Sequence, residues 1–505
     1  MLSLVQSDAF PPAPDDFNMA AYLLTHADGL SDKTALHIME AGGGSDSFDY
    51  RFLKRAVLGT ATGLLSLVKP GERVVLQLGN TPEFPIAFLG AIAAGIIPVS
   101  LSNMLSEREY LDVVNTIQPA LEIRAAGAPQ TPRSTLPLAA LRGFWTLPQA
   151  DFAYGDPNRP AYIIYTSGTS GRPTPVVHAH RAIWARRMMW DGWYGLREND
   201  RLMHAGAFNW TYTLGTGLLD PWAIGATALI PDQDVTADQL PALMERFKAT
   251  LFAAAPGVYR RLLRADMPPL PHLRHGLSAG EKMSPHDHAT WEQKTGTVVY
   301  EAFGMSECST FISGSPQMPT PKHAAGFVQP GRKVALLGPD GPVLRGEIGN
   351  IAIHKDDPGL MLGYLDQSKE TAARYQGDWF ITGDLAKMDD VGAITYAGRA
   401  DDMMNAGGYR VSPIEVEEAL TAYPALTEAA TCAVQIRTDV WVIAGFYVAT
   451  DVIDEEDLRN FLAKRLAPYK MPRLFIACDT LPRGANNKLL RRQLRNEWET
   501  AHGQA

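Results

Sequence analysis

Between Arg73 and Leu101 the chain spells RVVLQLGN, then PEFPIAFLGAIAAG, then IIPVSL. The outer runs are short and rich in branched apolar residues, and the middle run is long enough for a helix, so the order is strand, helix, strand. Two strands joined this way pair in parallel, and repeated units of the kind build a doubly wound sheet. The stretch from Phe84 to Leu101 carries no charge, at a length where a membrane span becomes conceivable. Pro85, Gly90, Gly95 and Pro98 interrupt it, and the small residues of FLGAIAAG favour close packing inside a protein. The reading is a buried helix followed by a buried strand.

The same texture recurs. FDYRFLKRAVLGTATGLLSL reads as a strand end and a long helix, and NMAAYLLTHADGL as an amphipathic helix. LFAAA is a strand broken by Pro256-Gly257 before the helix VYRRLLRAD, and VVYEAF is a strand running into GMSE. From about Gly331 the strands become shorter and turn-rich, which suggests a β-rich subdomain at 331–398. Beyond it, SPIEVEEAL, VIAGFYVAT and DEEDLRNFLAKRLAPYKMP read as helix, strand and helix, a small α+β unit. The fold class expected is α/β, with a large domain at 1–398 and a smaller one at 399–505, joined at Arg399 to Asp402.

A chain of 505 residues exceeds one ordinary core, and 46% apolar with 20% charged content is that of a globular protein with much to bury. A net charge of -9 argues against nucleic acid as a partner. The three cysteines, Cys308, Cys432 and Cys478, are too few and too scattered for a disulfide framework or a cysteine zinc site. The start, MLSLVQSDAFPPAPDDF, lacks the basic and apolar regions of a signal peptide, so a reducing, cytoplasmic setting is expected.

Function enters at Tyr162 to Pro175, YIIYTSGTSGRPTP. A strand-like run ends in hydroxyls and glycines, so that Thr166, Ser167, Thr169 and Ser170 can offer O–H groups while Gly168 and Gly171 let backbone N–H groups converge. Such a loop suits a polyphosphate. It lacks the Lys-Ser/Thr of a Walker loop and the G-x-G-x-x-G of a dinucleotide site, and taken alone it also fits a Ser/Gly surface hairpin. Further along, SAGEK and EAFGMSE follow strands; Phe303 could stack a purine, Ser306 touch a phosphate and Glu307 hold a hard cation, or the run could be a capped helix start. In WFITGD, Asp384 follows a glycine turn at a strand end, where it could accept two ribose hydroxyls or simply close a turn.

Together these motifs resemble those of the adenylate-forming superfamily of acyl-CoA synthetases, peptide-synthetase adenylation domains and luciferases, and the resemblance runs from about Phe17 to Arg495. GGYRVSPIEVEEAL and ETAARYQGDWFITGDL most resemble the benzoate-CoA ligase branch, and WTYTLGTGLLDPWAIGAT is similar to short- and medium-chain acyl-CoA synthetases. The resemblance implies ATP, Mg²⁺ and coenzyme A as reaction partners of a small carboxylic acid, with no membrane span and with a homodimer as the assembly to test. It implies Lys488, Glu307 and Thr166 as catalytic residues, Glu307 also being the metal ligand. ATP would be held by 166–171, Gly280, Glu281, Ala302, Phe303, Gly304, Ser306, Asp384 and Arg399. Gly407, Gly408 and Tyr409 would meet CoA, Asp401 would be the hinge of a rotating C-terminal domain, and Phe208, Asn209, Trp210, Ala279 and Met305 would line the acyl pocket.

Two departures stand out. Thr174-Pro175 replaces the usual Lys-Gly of the phosphate loop, which removes a cation and implies slower adenylation; Asn487 replaces the glycine before the catalytic lysine. The implied activity is AMP-forming acid–CoA ligation. Transfer of the acyl group to a carrier protein or an amine, and a non-catalytic nucleotide-binding role, are the other readings.

Overall fold

The computed structural model describes every residue except Ala9, 126–132, 168–172, Asp401, 407–408, 438–439, 485–488 and 503–505; the side chains at 166–167, 173, 405–406 and 409–410 are likewise outside it. The described chain forms two compact units, a larger one of Val5–Lys333 with Ile353–Phe380, and a smaller one of Met1–Leu4, Val334–Ala352 and Ile381–Ala505.

In the larger unit, helix α1 (Tyr50–Leu65) precedes strand β1 (Arg73–Gln77), helix α2 (Glu83–Ala93) and strand β2 (Ile97–Ser100). β1 and β2 pair in parallel, as the spacing requires. Every residue of α2 is buried. Its Gly90 lets α1 approach: a Cβ there would lie 2.9 Å from Thr60 and 3.1 Å from the Val57 carbonyl. The uncharged segment is therefore core, and among the described residues no helix is long and apolar enough to cross a membrane.

Strands β3 (Pro160–Ser167) and β4 (Pro173–Ala179) extend the sheet of β1 and β2, with β3 parallel to β2 and β4 antiparallel to β3. A second sheet, of nine strands, contains β5 (Arg201–Ala205), β6 (Leu251–Ala254), β7 (His275–Ala279) and β8 (Val299–Met305), all parallel, followed by β9 (Ser309–Ser313) returning antiparallel to β8. The short strand β10 (Gly363–Tyr364) pairs antiparallel with β4 at the edge of the first sheet.

In the smaller unit, β11 (Trp379–Met388, which begins in the larger unit) pairs with β12 (Ile394–Arg399). Helix α3 (Pro413–Thr421) and helix α4 (Glu455–Ala463) pack with the sheet of β13 (Leu426–Arg437), β14 (Val440–Ala449) and β15 (Leu474–Ala477), burying Val416, Leu420, Leu458 and Leu462.

Several expectations are corrected. The helix near the start covers only Met19–Leu23. EAFGMSE is a strand end and not a helix start: β8 runs through Phe303 to Met305, Ser306 and Glu307 fall in the turn into β9, and a register shift lies between Phe303 and Gly304. Gly304 is required there, since a Cβ would stand 2.3 Å from the Ser309 carbonyl oxygen. WFITGD does not close a strand. β11 continues to Met388, and Gly383, at φ +80°, is an irregularity inside it.

Candidate active site

The four parallel strands β5 to β8 end on one edge of their sheet, which is where α/β sheets bind ligands. Ala279 and Ala302 are register partners at that edge. They share an apolar cluster with Tyr212, and Trp210 packs against it. The Trp210 indole meets Tyr212 edge-on at 5.2 Å and 90°. Its six-membered ring also covers Gly280, whose φ is +101°: a Cβ there would be 3.1 Å from Cζ2 and 3.3 Å from Cη2. Tyr212 is itself fixed by its O–H donating to the Leu277 carbonyl at 3.1 Å. Trp210 is thus a supported wall beside the Gly280 turn, with Asn209 and Met305 half-buried. Phe208 lies elsewhere. It is fully buried, stacks on Phe84 at 5.1 Å and donates its N–H to Asn80, so it offers no accessible surface.

Glu307 sits in the turn between β8 and β9 and is 8% exposed. The Tyr364 phenol donates to its Oε1 at 2.8 Å, and Tyr364 is the carboxylate's hydrogen-bond partner among the described residues. Oε1 is thus the occupied oxygen, and Oε2 can accept from a donor or meet a cation. Hard oxygen donors of this kind fit Mg²⁺. No group of three or more His, Cys, Asp or Glu that could hold a metal occurs among the described residues. Most of the ion's remaining ligands would then be phosphate oxygens and water, the usual arrangement for Mg²⁺ at a nucleotide.

Strands β3 and β4, which flank 168–172, are tied to this turn through β4. Thr166 and Thr174 face each other across β3 and β4, so Thr174 is a strand residue at the base of the hairpin. Four positions on, the His178 ring lies 2.8 Å (Nε2) from the Ser306 carbonyl, next to Glu307. Burial pushes the pKa of His178 down to about 4, so the ring is neutral and Nε2–H donates. Phe303 is half-buried with its ring edge-on to Phe311 at 5.5 Å, and Glu281 is half-buried.

In the smaller unit Asp384 and Arg399 are register partners on β11 and β12. The Asp384 carboxylate accepts the Tyr396 O–H at 2.8 Å and the Arg399 guanidinium at 3.2 Å. Burial, with the Asp384 charge second, raises the Tyr396 pKa far above normal, so the phenol keeps its proton and donates. Gly168, Thr169, Ser170, Gly171, Asp401, Gly407, Gly408 and Lys488 lie outside the described residues, as do the side chains of Thr166, Ser167 and Tyr409.

Sequence reasoning missed Tyr364, His178 and Tyr396. Nothing local marks the tyrosines, since each matters through a hydrogen bond to a carboxylate on another element, Glu307 for Tyr364 and Asp384 for Tyr396. His178 carries a weak signal as a polar residue inside the apolar run PVVHA.

Comparison with known proteins agrees with this geometry. The model of the AMP-binding enzyme family matches residues 23–365, and that of the AMP-binding enzyme C-terminal domain matches 415–488. The benzoate–CoA ligase of Thauera aromatica is 28% identical, over 98% of this chain and 99% of its own length. The crystal structure of the anthranilate CoA ligase AuaEII with anthranoyl-AMP superposes with a TM-score of 0.87 at 26% identity, covering 97% of this chain and 99% of that one. A benzoate CoA ligase from Burkholderia xenovorans LB400 gives 0.84 at 28% identity, over 95% of this chain and 100% of its own. The two family models match most of the chain between them, and this chain belongs to the AMP-binding enzyme family.

Proposed function

We propose that this AMP-forming acid–CoA ligase activates a compact acid, either aromatic and benzoate-like or aliphatic of short to medium length. The observation that carries the choice is the Trp210 indole packed over Gly280 and held by Tyr212, an apolar wall with no residue of positive charge among Asn209, Trp210, Ala279 and Met305. A second carboxylate buried there would be unpaired, so dicarboxylates and amino acids are poor substrates.

The reaction must bring a carboxylate to the α-phosphorus of ATP although both are anionic. The hydroxyls and N–H groups of 166–171 and the Lys488 ammonium neutralise the phosphates, and Asp384 with Arg399 takes the ribose. Mg²⁺ held by Glu307 would supply further positive charge to the phosphates and the leaving pyrophosphate. Phe303, Gly280 and Glu281 bound the adenine. Binding both reactants in line removes much of the entropic barrier. The acyl-adenylate is a reactive mixed anhydride that must be kept from water until the CoA thiol attacks its carbonyl and AMP leaves. Rotation about Asp401, withdrawing Lys488 and bringing Gly407, Gly408 and Tyr409 toward CoA, is the proposed second step.

The test is CoA-dependent AMP release with benzoate, substituted benzoates, malonate and linear acids from acetate to palmitate. Compact acids should lead. A preference for palmitate or malonate would overturn this reading of the pocket.

A further inference from the structure

Glu307 is more elaborately held than a metal carboxylate needs to be for folding alone. Its carbonyl oxygen accepts the Met361 N–H at 2.7 Å, its Oε1 accepts the Tyr364 O–H at 2.8 Å, and the neighbouring Ser306 carbonyl accepts from His178 at 2.8 Å. All these partners hang on the strand that leaves the phosphate hairpin. His178 lies on β4 itself, stacked on Tyr162 of β3 at 4.8 Å and 17°. Tyr364 is the register partner of Val176, and the segment is stitched to β4 by Leu362 N–H to the Val177 carbonyl and Leu365 N–H to the Pro175 carbonyl, at 2.8 and 3.0 Å. The strand that carries the Thr166–Thr174 pair at one end therefore holds the Glu307 turn at the other.

We propose that Tyr364 is a positioning residue for the metal carboxylate: by occupying Oε1 it turns Oε2 toward the cation, and it ties the Glu307 turn to β4. His178 is the second support, fixing the peptide from which Glu307 projects. This rests on the assignment of Mg²⁺ to Glu307. Loss of an outer hydrogen-bond partner of a metal ligand commonly costs about 10- to 100-fold in metal affinity. In this chain the threonine at 174 supplies no charge, so placement of the cation carries more of the phosphate neutralisation.

The experiment compares wild type, Tyr364→Phe and Glu307→Gln as full-length proteins, reading Mn²⁺ binding in the presence of α,β-methylene-ATP by electron paramagnetic resonance, thermal midpoint, and both half-reactions. Tyr364→Phe should weaken Mn²⁺ binding about tenfold or more. It should raise the Mg²⁺ concentration needed for pyrophosphate exchange in proportion, and leave the thermal midpoint and thioester formation from a supplied acyl-adenylate near wild type. Wild-type Mn²⁺ affinity in Tyr364→Phe, with Glu307→Gln defective, overturns the positioning role alone. Wild-type affinity in Glu307→Gln removes the metal assignment itself. Should Tyr364→Phe fail to fold, His178→Phe, which keeps the ring stack and removes the donor, is read the same way, and unchanged Mn²⁺ affinity there overturns the proposal.

Discussion

Replacing Trp210 by alanine removes the wall of the acyl pocket without touching the reacting groups. The indole is mostly buried, edge-on to Tyr212 at 5.2 Å, with its far ring against the Gly280 backbone. A tryptophan buries roughly 200 Å² when enclosed; with about three quarters of that here, at about 25 cal/mol per Å², the loss of stability is about 4 kcal/mol. The vacated space should accept extra methylenes, each worth about 0.8 kcal/mol when buried. For an acid with two or three more methylenes the gain in kcat/KM relative to the wild-type preference is then about 15- to 60-fold. The assay is kcat/KM for AMP release across the linear acids, with benzoate as the internal reference and a thermal midpoint to separate pocket from fold. Benzoate should fall, since its ring loses a flat apolar partner. If the optimum chain length of Trp210→Ala is that of wild type while the protein remains folded, Trp210 does not bound the acyl group and the pocket has been placed on the wrong side of Gly280.

Lys488→Ala should reduce carboxylate-dependent pyrophosphate exchange at least about 100-fold, because a cation aimed at developing charge is lost, while thioester formation from supplied acyl-adenylate is spared. Equal loss of both half-reactions would remove the assignment. The pH dependence of stability should carry the mark of His204, which is fully buried with both ring nitrogens unpartnered and whose pKa burial lowers to about 3. The unfolded chain takes up this proton near pH 6.5 and the folded chain does not, so stability falls as pH drops below about 6.5, by about 1 kcal/mol for this residue between pH 7.5 and 5.5. His204→Leu should flatten the urea-unfolding free energy by about that amount over this range, and an unaltered pH dependence would show that the ring is protonated or hydrogen-bonded in the folded state.

Local sequence determined the elements whose partners are their own neighbours in the chain. The run from Arg73 to Leu101 could be read as strand, helix and strand because apolar length and small-residue content decide burial, and a parallel pair follows from the connection. The Glu307 turn and the Asp384–Arg399 pair stand out in the sequence for a related reason: their glycines, Gly304 and Gly383, are demanded by local backbone geometry. What the sequence could not reveal was register. Asp384 stands in mid-strand, not at a strand end, because β11 runs on past Thr382-Gly383 to form a hairpin with β12, and that pairing outweighs the turn character of the two residues. Phe208 spells like a pocket residue yet stacks into the core on Phe84, 124 positions away in a different layer. Tyr364 has no local mark of function at all. It reaches Glu307 because a two-residue strand docks on β4 at Val176, and only the tertiary structure, by closing contacts between segments far apart in the chain, could make that tyrosine part of the site.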